Sequence, residues 1–363
     1  MARTSSIFFI IIFISALAFL AGYYFNSKNP ANTNILSGSL LSKFEVIDTA
    51  GEINKATPYT QNMDQPLNSE GATSLTTSTN PDSVIYYEKK TGRVIESNYV
   101  LGTKSIITNN SLVNFISSIW SPDKKSVISL FYDSSGNYYK YYNFKTKKVS
   151  IFKNNIKSIA YSPDSKNIVY LQESALDNTI YVALPDGSSR KKILNTRLQN
   201  IELFWPATNK IYIQTTNDRD GNSSLFRIDE AGNTLKLIEG GLEMRVSFSP
   251  DGERLLSSYI VDGQLVTKLV IGNNKETVLK KPLWANECAW SASMNLVYCA
   301  STGINGNSRP AIIEYNLIDD AIRQIGNLPF NGHVSTAILS TSENYLILLS
   351  NTTNWIYAVE IER

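Results

Sequence analysis

A short element recurs through most of this 363-residue chain, and it constrains the fold more than any other feature. It consists of an apolar strand, then Ser-Pro-Asp or a degenerate form of it, then a second apolar strand. Clear copies begin at residues 119, 160 and 247 (IWSPDKKSVISL, AYSPDSKNIVYL, SFSPDGERLLSS), and weaker copies begin at 203, 289 and 338. Equivalent residues recur at intervals of about 41 to 49 residues, the spacing of propeller or solenoid repeats: Trp120, Tyr161, Phe204, Phe248, Trp290 and Leu339.

The residues of the element indicate a β-hairpin. Proline fixes φ, and Asp or Gly closes a tight connection between antiparallel strands. Each copy is followed by another alternating strand and a second turn, as in TIYVALPDGSSRKKIL and AIIEYNLIDDAIRQIG. Four strands per period are typical of one propeller blade.

A further segment links the repeat to a known family. Asn217-Asp218-Arg219-Asp220-Gly221-Asn222 leads into Leu225-Phe226-Arg227-Ile228-Asp229. Together with the aromatic-Ser-Pro-Asp hairpin, this segment resembles the TolB-type propeller repeat of bacterial envelope proteins. The resemblance covers residues 82–363 and implies an all-β propeller; it says little about function, because one fold hosts many activities.

The number of blades is six or seven, and the spacing favours seven. VIYYEKKTGRVIESN, near residue 84, reads as an inner and an outer strand without the Ser-Pro-Asp strand before it, and the C-terminal WIYAVEIER lacks a fourth strand. A six-bladed ring would need the strand at 103–108 to complete the last blade. In both cases the termini meet and close the ring, which removes exposed sheet edges.

The N-terminal part predicts a membrane anchor and a tether. Residues 7–25 carry no charge and are long enough for a helix that crosses a bilayer. Arg3 before them, with Tyr23 and Tyr24 at the far end, favours a cytoplasmic segment 1–6 and a propeller outside the cytoplasm. Residues 26–81 are rich in Asn, Ser, Thr and Pro, which predicts a flexible linker.

The same segment allows an alternative reading. Ala16-Leu17-Ala18 is a small-x-small pattern after an apolar core, so a signal peptide cleaved at Ala18 would give a secreted or periplasmic protein. The apolar run continues to Phe25, which favours an uncleaved anchor. Both readings predict export.

Composition excludes several kinds of function. With 34 basic and 32 acidic residues the net charge is +2, which disfavours nucleic acid as a partner. Two cysteines without C-x-x-C spacing predict no structural metal. The one histidine, His333, leaves little of the usual proton-transfer chemistry, and no cofactor is predicted.

Three local features are candidate sites. Cys288 and Cys299 flank a turn and would lie opposite each other in a symmetric hairpin, so they form either a disulfide or two buried thiols. Asp218, Asp220 and Asn222 begin like a calcium loop, but without the Glu at loop position twelve a β-turn is favoured. His333 is a candidate base; without a Gly-x-Ser-x-Gly elbow, a turn or rim histidine is favoured.

No catalytic, cofactor-binding or metal-binding residue is therefore predicted. The leading hypothesis is a membrane-anchored, extracytoplasmic and non-enzymatic scaffold for an envelope protein or a cell-wall ligand. The alternative is a propeller enzyme, a glycan hydrolase or lyase with a carboxylate site at the channel mouth.

Overall fold

The chain folds into a seven-bladed all-β propeller. The computed structural model describes residues 65–109, 111–152, 155–175, 177–216, 222–272, 275–301 and 310–361. These residues form seven antiparallel sheets, six with four strands and the last with three. The preference for seven blades over six is thereby confirmed.

Every blade is a meander in which consecutive strands are neighbours. Blades 1 to 3 comprise β1 Ala72–Thr77, β2 Ser83–Glu88, β3 Val94–Asn98, β4 Lys104–Thr108; β5 Phe115–Trp120, β6 Ser126–Asp133, β7 Gly136–Asn143, β8 Val149–Ile151; β9 Ile156–Tyr161, β10 Ile168–Gln172, β11 Asn178–Ala183 and β12 Lys191–Thr196.

Blades 4 to 7 continue the same order. They comprise β13 Ile201–Ala207, β14 Lys210–Thr215, β15 Ser224–Ile228, β16 Thr234–Glu239; β17 Leu242–Phe248, β18 Arg254–Val261, β19 Gln264–Ile271, β20 Lys275–Val278; β21 Cys288–Trp290, β22 Leu296–Ser301, β23 Ala311–Asn316, β24 Ile322–Asn327; β25 Val334–Leu339, β26 Tyr345–Ser350 and β27 Ile356–Glu360.

The first strand of each blade lies innermost, around the central channel. First strands of neighbouring blades contact one another in the pairs β1 and β5, β5 and β9, β9 and β13, β17 and β21, β21 and β25, and β25 and β1. Since every blade has the same meander order, all inner strands run in one direction. Their beginnings therefore meet at one end of the channel, here called the channel mouth.

The Ser-Pro-Asp element forms the turn between the first and second strands. The Ser121 hydroxyl donates to Asp123 Oδ1 at 2.7 Å and accepts from the Ser126 backbone N–H at 3.0 Å. The same two contacts recur at Ser162 and Ser249. These serines are buried, so the motif contributes to folding. Because the turn follows the inner strand, it lies at the end opposite the channel mouth.

Hydrophobic clusters between adjacent blades form the core. One joins blades 5 and 6 through side chains that include Leu256, Leu269 and Val297. The motif aromatics add hydrogen bonds across the same boundaries. Trp120 Nε1 donates to the Ser74 carbonyl at 2.8 Å and Trp290 Nε1 donates to Ser247 Oγ at 3.0 Å. Each blade thus depends on its neighbour for burial.

The ring closes between blade 7 and the segment before β1. The Leu67 N–H donates to the Ile356 carbonyl at 2.7 Å, and the Ile356 N–H donates to Asn68 Oδ1 at 2.6 Å. Asn68, only 4% exposed, also donates to the Asn354 carbonyl. Residues 67 and 68 therefore lie beside β27, where a fourth strand of blade 7 would stand.

The start of the propeller differs from the sequence prediction. The propeller begins before residue 82, because β1 lies at Ala72–Thr77 within the range predicted to be linker. Its Ser and Thr residues resemble a tether in composition, but they are half-buried, and Ala72 and Leu75 are buried. The strand at 103–108, which only a six-bladed ring would have placed in the last blade, is β4 of blade 1.

The predicted anchor and signal-peptide segment, residues 7–25, lies outside the described residues. Within the described ranges, no helix has the length and apolar character needed to cross a membrane.

Candidate functional site

A polar pocket of about 410 Å³ opens at the channel mouth. Its lining comes from the starts of the inner strands of blades 5, 6 and 7 and from one turn of blade 7: Glu243, Arg245, Trp284, Asn286, Glu287, His333, Val334, Ser335 and Asn351. A volume of this size lies in the range of small-molecule and peptide sites.

Glu287 is the most unusual side chain in the pocket. It is 2% exposed, and its Oε1 lies 2.7 Å from His333 Nδ1. Its Oε2 is buried and has no hydrogen-bond partner among the described residues. A buried carboxylate oxygen without a donor is costly, so the position of Glu287 lowers stability. Because Oε2 is closed to solvent, the carboxylate acts on the pocket through its contact with His333.

The fold holds Glu287 rigidly in place. It ends a single 3₁₀ turn, Ala285–Glu287, in which the Glu287 N–H donates to the Trp284 carbonyl at 3.0 Å. Buried hydroxyls fix the start of this turn: Ser258 Oγ accepts from the Ala285 N–H at 2.9 Å, and Thr267 Oγ1 accepts from the Leu283 N–H at 2.7 Å. The site is therefore preorganised.

His333 stands on the rim of the channel mouth, with 57% of its side chain exposed. Its carbonyl accepts a hydrogen bond from the Asn351 N–H at 2.9 Å. Gly332 precedes it with φ +114, and an added Cβ there would stand 2.7 Å from Thr352 Oγ1. Backbone geometry that suits glycine thus directs His333 toward Glu287.

Burial raises the pKa of Glu287, while the hydrogen bond and charge of His333 and the backbone of Val334 act in the opposite direction. Burial likewise raises the pKa of Glu202, near the start of β13, and the Arg245 charge opposes that rise. Arg245 lines the pocket and also acts electrostatically on Glu202. Glu287 is closed off from water, which disfavours its charged form, whereas Glu202 is exposed.

The arrangement offers both signs of charge to a ligand. Glu287 and Glu243 provide acceptors, while Arg245 provides a fork of donors suited to a carboxylate or phosphate. His333, held by a carboxylate, has the geometry of an oriented imidazole. Chemically, the pocket can bind a polar ligand that carries a donor and an anionic group, or move a proton.

A second cavity, about 290 Å³, lies in blade 1 near Glu88 and Arg93. Its most buried charges are paired with each other: Glu88 Oε2 accepts from Arg93 Nη2 at 2.7 Å and from Thr91 Oγ1 at 2.5 Å.

Cys288 and Cys299 form a disulfide directly behind the pocket. They are opposite each other in the register of β21 and β22, with their Cα atoms 4.1 Å apart, and both are buried. The bond ties the strand that follows Glu287 to its neighbour. Of the two alternatives that the sequence allows, the structure contains the disulfide and not two buried thiols.

The other candidates lie elsewhere. Asp218 and Asp220 fall outside the described residues, whereas Asn222 is described. No group of three or more His, Cys, Asp or Glu side chains within the described ranges could hold a metal ion.

Sequence reasoning did not find Glu287, Glu243 or Arg245. None of them belongs to a motif, and they come from two blades: Glu243 and Arg245 lie on β17 of blade 5, and Glu287 directly precedes β21 of blade 6. The available signal was positional: each stands at the start of an inner strand, so a blade alignment would have brought them to one rim.

No protein-family model matches the sequence, and no curated protein matches it. Solved structures do. An oligogalacturonate lyase from Vibrio parahaemolyticus has a TM-score of 0.61 at 8% identity, over 83% of this chain and 93% of that chain. A chain of the Kuenenia stuttgartiensis hydrazine synthase has a TM-score of 0.54 at 14% identity, over 83% and 99%.

TolB from Acinetobacter baumannii is more distant in shape, with a TM-score of 0.45 at 15% identity over 63% of this chain and 58% of that chain. At such identities the likeness concerns the fold alone, and the names above cover unlike activities. The comparisons therefore show a β-propeller and leave its function to the site.

Proposed function

We propose that the chain is an exported binding module whose channel-mouth pocket takes a polar segment of an envelope protein or a cell-wall ligand. The observation that carries this proposal is Glu287, a buried carboxylate with one oxygen bound to His333 and the other without a partner among the described residues. A rigid site that costs stability is typical of function rather than of folding.

The ligand would complete two sets of contacts. An N–H or O–H group would donate to the exposed Glu243 carboxylate, and a carboxylate or similar group would lie against Arg245. Peptide segments and amino-sugar polymers both present such pairs of groups. The preformed pocket reduces the entropy cost of binding them.

Export and anchoring rest on two observations. The Cys288–Cys299 disulfide is of a kind that persists in oxidising compartments. The uncharged residues 7–25 have the length of a membrane span and support attachment to the membrane. The recurring aromatic-Ser-Pro-Asp hairpin supports kinship with TolB-type envelope propellers.

Site-specific photo-crosslinking in native membranes tests the proposal. A crosslinking amino acid would replace Ser335, which lines the pocket, or Ser342, an exposed residue at the opposite end of the same blade. We expect one discrete adduct from position 335 and no such adduct from position 342. The adduct from position 335 should disappear when Glu287→Gln is added. Equal adducts from both positions, or an adduct indifferent to Glu287→Gln, would refute the pocket as the binding site.

A second candidate function is catalysis, favoured by the carboxylate–imidazole pair beside a guanidinium. In a lyase acting on an acidic sugar, His333 would take the proton from the carbon next to the carboxylate of the sugar. Arg245 would stabilise the negative charge that develops on that carboxylate. The C–H bond would break, a C=C bond would form, and the glycosidic oxygen would leave with a proton from solvent.

Incubation with acidic polysaccharides, followed by absorbance of the unsaturated product, tests this candidate. Activity that falls at least about a hundredfold in His333→Gln would support it, a loss typical of a missing general base. Activity unchanged in His333→Gln, or absent from the wild-type protein on every polymer, would leave binding as the function.

A further inference from the structure

A cluster of exposed cations lies on the outer rim of blades 2 and 3, at the end opposite the channel mouth. It is here called the basic flank and consists of Lys145, Lys147, Lys148, Arg190, Lys191 and Lys192. These residues occupy the β7–β8 turn and the end of the β11–β12 connection. Asp186 binds Lys148 across the blade boundary, which shows that the two turns are neighbours.

The two turns that form the flank carry little negative charge. Residues 144–148 and 184–192 contain six basic residues and a single acidic one, Asp186. That carboxylate is already used, since Lys148 and Ser188 both donate to it. The cations of the flank therefore act together on whatever lies outside the rim.

Equivalent turns on other blades have the opposite charge. The β15–β16 turn of blade 4 carries Asp229 and Glu230, and the β23–β24 turn of blade 6 carries Asp319 and Asp320. The net charge of +2 conceals this separation. The acidic turn of blade 4 borders the flank, since Lys191 Nζ donates to the Glu230 carbonyl at 3.5 Å. The positive charge is therefore confined to blades 2 and 3, and an approaching anionic surface would orient the propeller.

Apolar side chains stand beside the cations. Leu184, at the start of the β11–β12 turn, is 42% exposed, and Ile151 at the end of β8 is 67% exposed. Cations together with exposed aliphatic groups suit the surface of an anionic bilayer, where charge attracts and apolar groups enter the headgroup region. A soluble polyanion would use the charges but gain nothing from the aliphatic groups.

We propose that the basic flank docks on the surface of a membrane that contains anionic lipids. This contact would set the orientation of the propeller and turn the channel mouth away from the bilayer, toward partners farther out. It depends on neither the ligand nor the chemistry of the pocket, so each proposal can fail alone.

The attraction would be additive and sensitive to salt. Each lysine near an anionic membrane raises partitioning about fivefold. Its effect falls off over about 10 Å at 0.1 M salt and over about 3 Å at 1 M. Docking should therefore weaken steeply as salt is added.

Fluorescence quenching on the full-length protein tests the proposal. The protein is reconstituted into nanodiscs whose lipids carry a short-range quencher, with either anionic or zwitterionic headgroups. A fluorophore is attached at Ser188→Cys in the flank or at Ile318→Cys in the equivalent turn of blade 6, both exposed. The native cysteines are bonded to each other and buried, so only the new thiol reacts.

We expect strong quenching at position 188 in anionic discs, little in zwitterionic discs, and little at position 318 in either. Lys145→Glu with Lys192→Glu should abolish the signal at 188. The matched control, Lys236→Glu with Lys275→Glu, makes the same change in net charge elsewhere on the rim and should leave the signal intact.

Three results would overturn the proposal. They are equal quenching at 188 in both kinds of disc, equal quenching at 188 and 318, and no quenching at 188 in anionic discs. A soluble polyphosphate that binds the flank when anionic discs give no quenching would assign it to a polymer instead. Thermal melts of each variant establish that the propeller remains folded.

Discussion

At the scale of single residues, Glu287 shows how a site opposes stability. Its carboxylate is buried, and only one of its two oxygens has a hydrogen-bond partner among the described residues. A buried polar group without a partner costs about 1 to 3 kcal/mol, and a charged group costs more. Removing the charge should therefore stabilise the propeller while it damages binding.

We expect Glu287→Gln to raise the melting temperature at neutral pH. Burial raises the pKa of Glu287 above its ordinary value of 4.5. At pH values between 4.5 and the raised pKa of the folded state, Glu287 keeps a proton that it loses in the unfolded state. The stability of the wild-type protein therefore falls as pH rises through this range. The advantage of the variant should therefore grow from pH 4 upward until Glu287 is ionised, as measured by calorimetry across pH.

Glu243→Gln is the control, because Glu243 lines the same pocket but is exposed. It should leave the dependence of stability on pH close to that of the wild type. An equal gain in both variants, or no pH-dependent gain in Glu287→Gln, would contradict the account of Glu287.

The sequence predicted the positions of single side chains less completely than it predicted the fold. The opposition of Cys288 and Cys299 could be predicted, because a symmetric hairpin fixes which residues face each other. The convergence of Glu287, His333 and Arg245 could not, because it depends on the rotation between blades. No local pattern encodes that rotation.

At the scale of elements, the turns between first and second strands also join neighbouring blades. Gly252 adopts φ +63 in its turn, and a Cβ added there would stand 2.4 Å from the Cβ of Ala207 in blade 4. The glycine is thus required twice, for the backbone conformation and for the approach of the next blade.

Gly252→Ala should lower the free energy of unfolding by about 2 to 4 kcal/mol, because strain at positive φ adds to overpacking. Gly263→Ala is the matched control, since Gly263 has φ +75 but nothing within 4 Å of the added Cβ. It should cost about 1 to 2 kcal/mol from the backbone alone. Equal losses in urea titrations would mean that the contact between blades is not tight.

The disulfide is the covalent link within blade 6. Replacing both Cys288 and Cys299 by Ala should lower the free energy of unfolding by about 2 to 3 kcal/mol, because the unfolded chain gains freedom over the short loop. Urea titration measures the loss. Mass spectrometry of wild-type protein with and without reductant should differ by two hydrogens, and two free thiols in exported protein would contradict the bond.

The repeats predicted elements well where turn chemistry was strong. Copies with Ser-Pro-Asp gave hairpins at the expected places, because proline and the Asp side chain fix the turn locally. β1 was missed because Ala72–Thr77 has no aromatic residue and its polar side chains resemble a linker. Contacts with neighbouring strands, rather than local propensity, make it a strand.

At the scale of the whole molecule, stability depends on how the ring closes. The closure uses the backbone of Leu67 and the side chain of Asn68 against β27, with residues nearly 290 positions apart in the chain. Sequence reasoning could predict that the termini meet, since a propeller must close. The residues that close it have no recognisable pattern.

Asn68→Ala should loosen the closure. It leaves the buried Ile356 N–H without its acceptor, at a cost of about 1 to 3 kcal/mol. Hydrogen exchange should become faster in β27 and β1 before it does in blades 3 and 4. Asn80→Ala, which removes exposed contacts to Glu96, is the control. Uniform acceleration around the ring would contradict a local closure.

The most direct test of the central claim is an experimental density map of the full-length protein purified from its native membrane. The account predicts density in the channel-mouth pocket, with a donor group beside Glu243 and His333 and an anionic group beside Arg245. The same pocket in Glu287→Gln should lose that density. A wild-type pocket that holds solvent alone, with the ligand bound elsewhere on the propeller, would contradict the account.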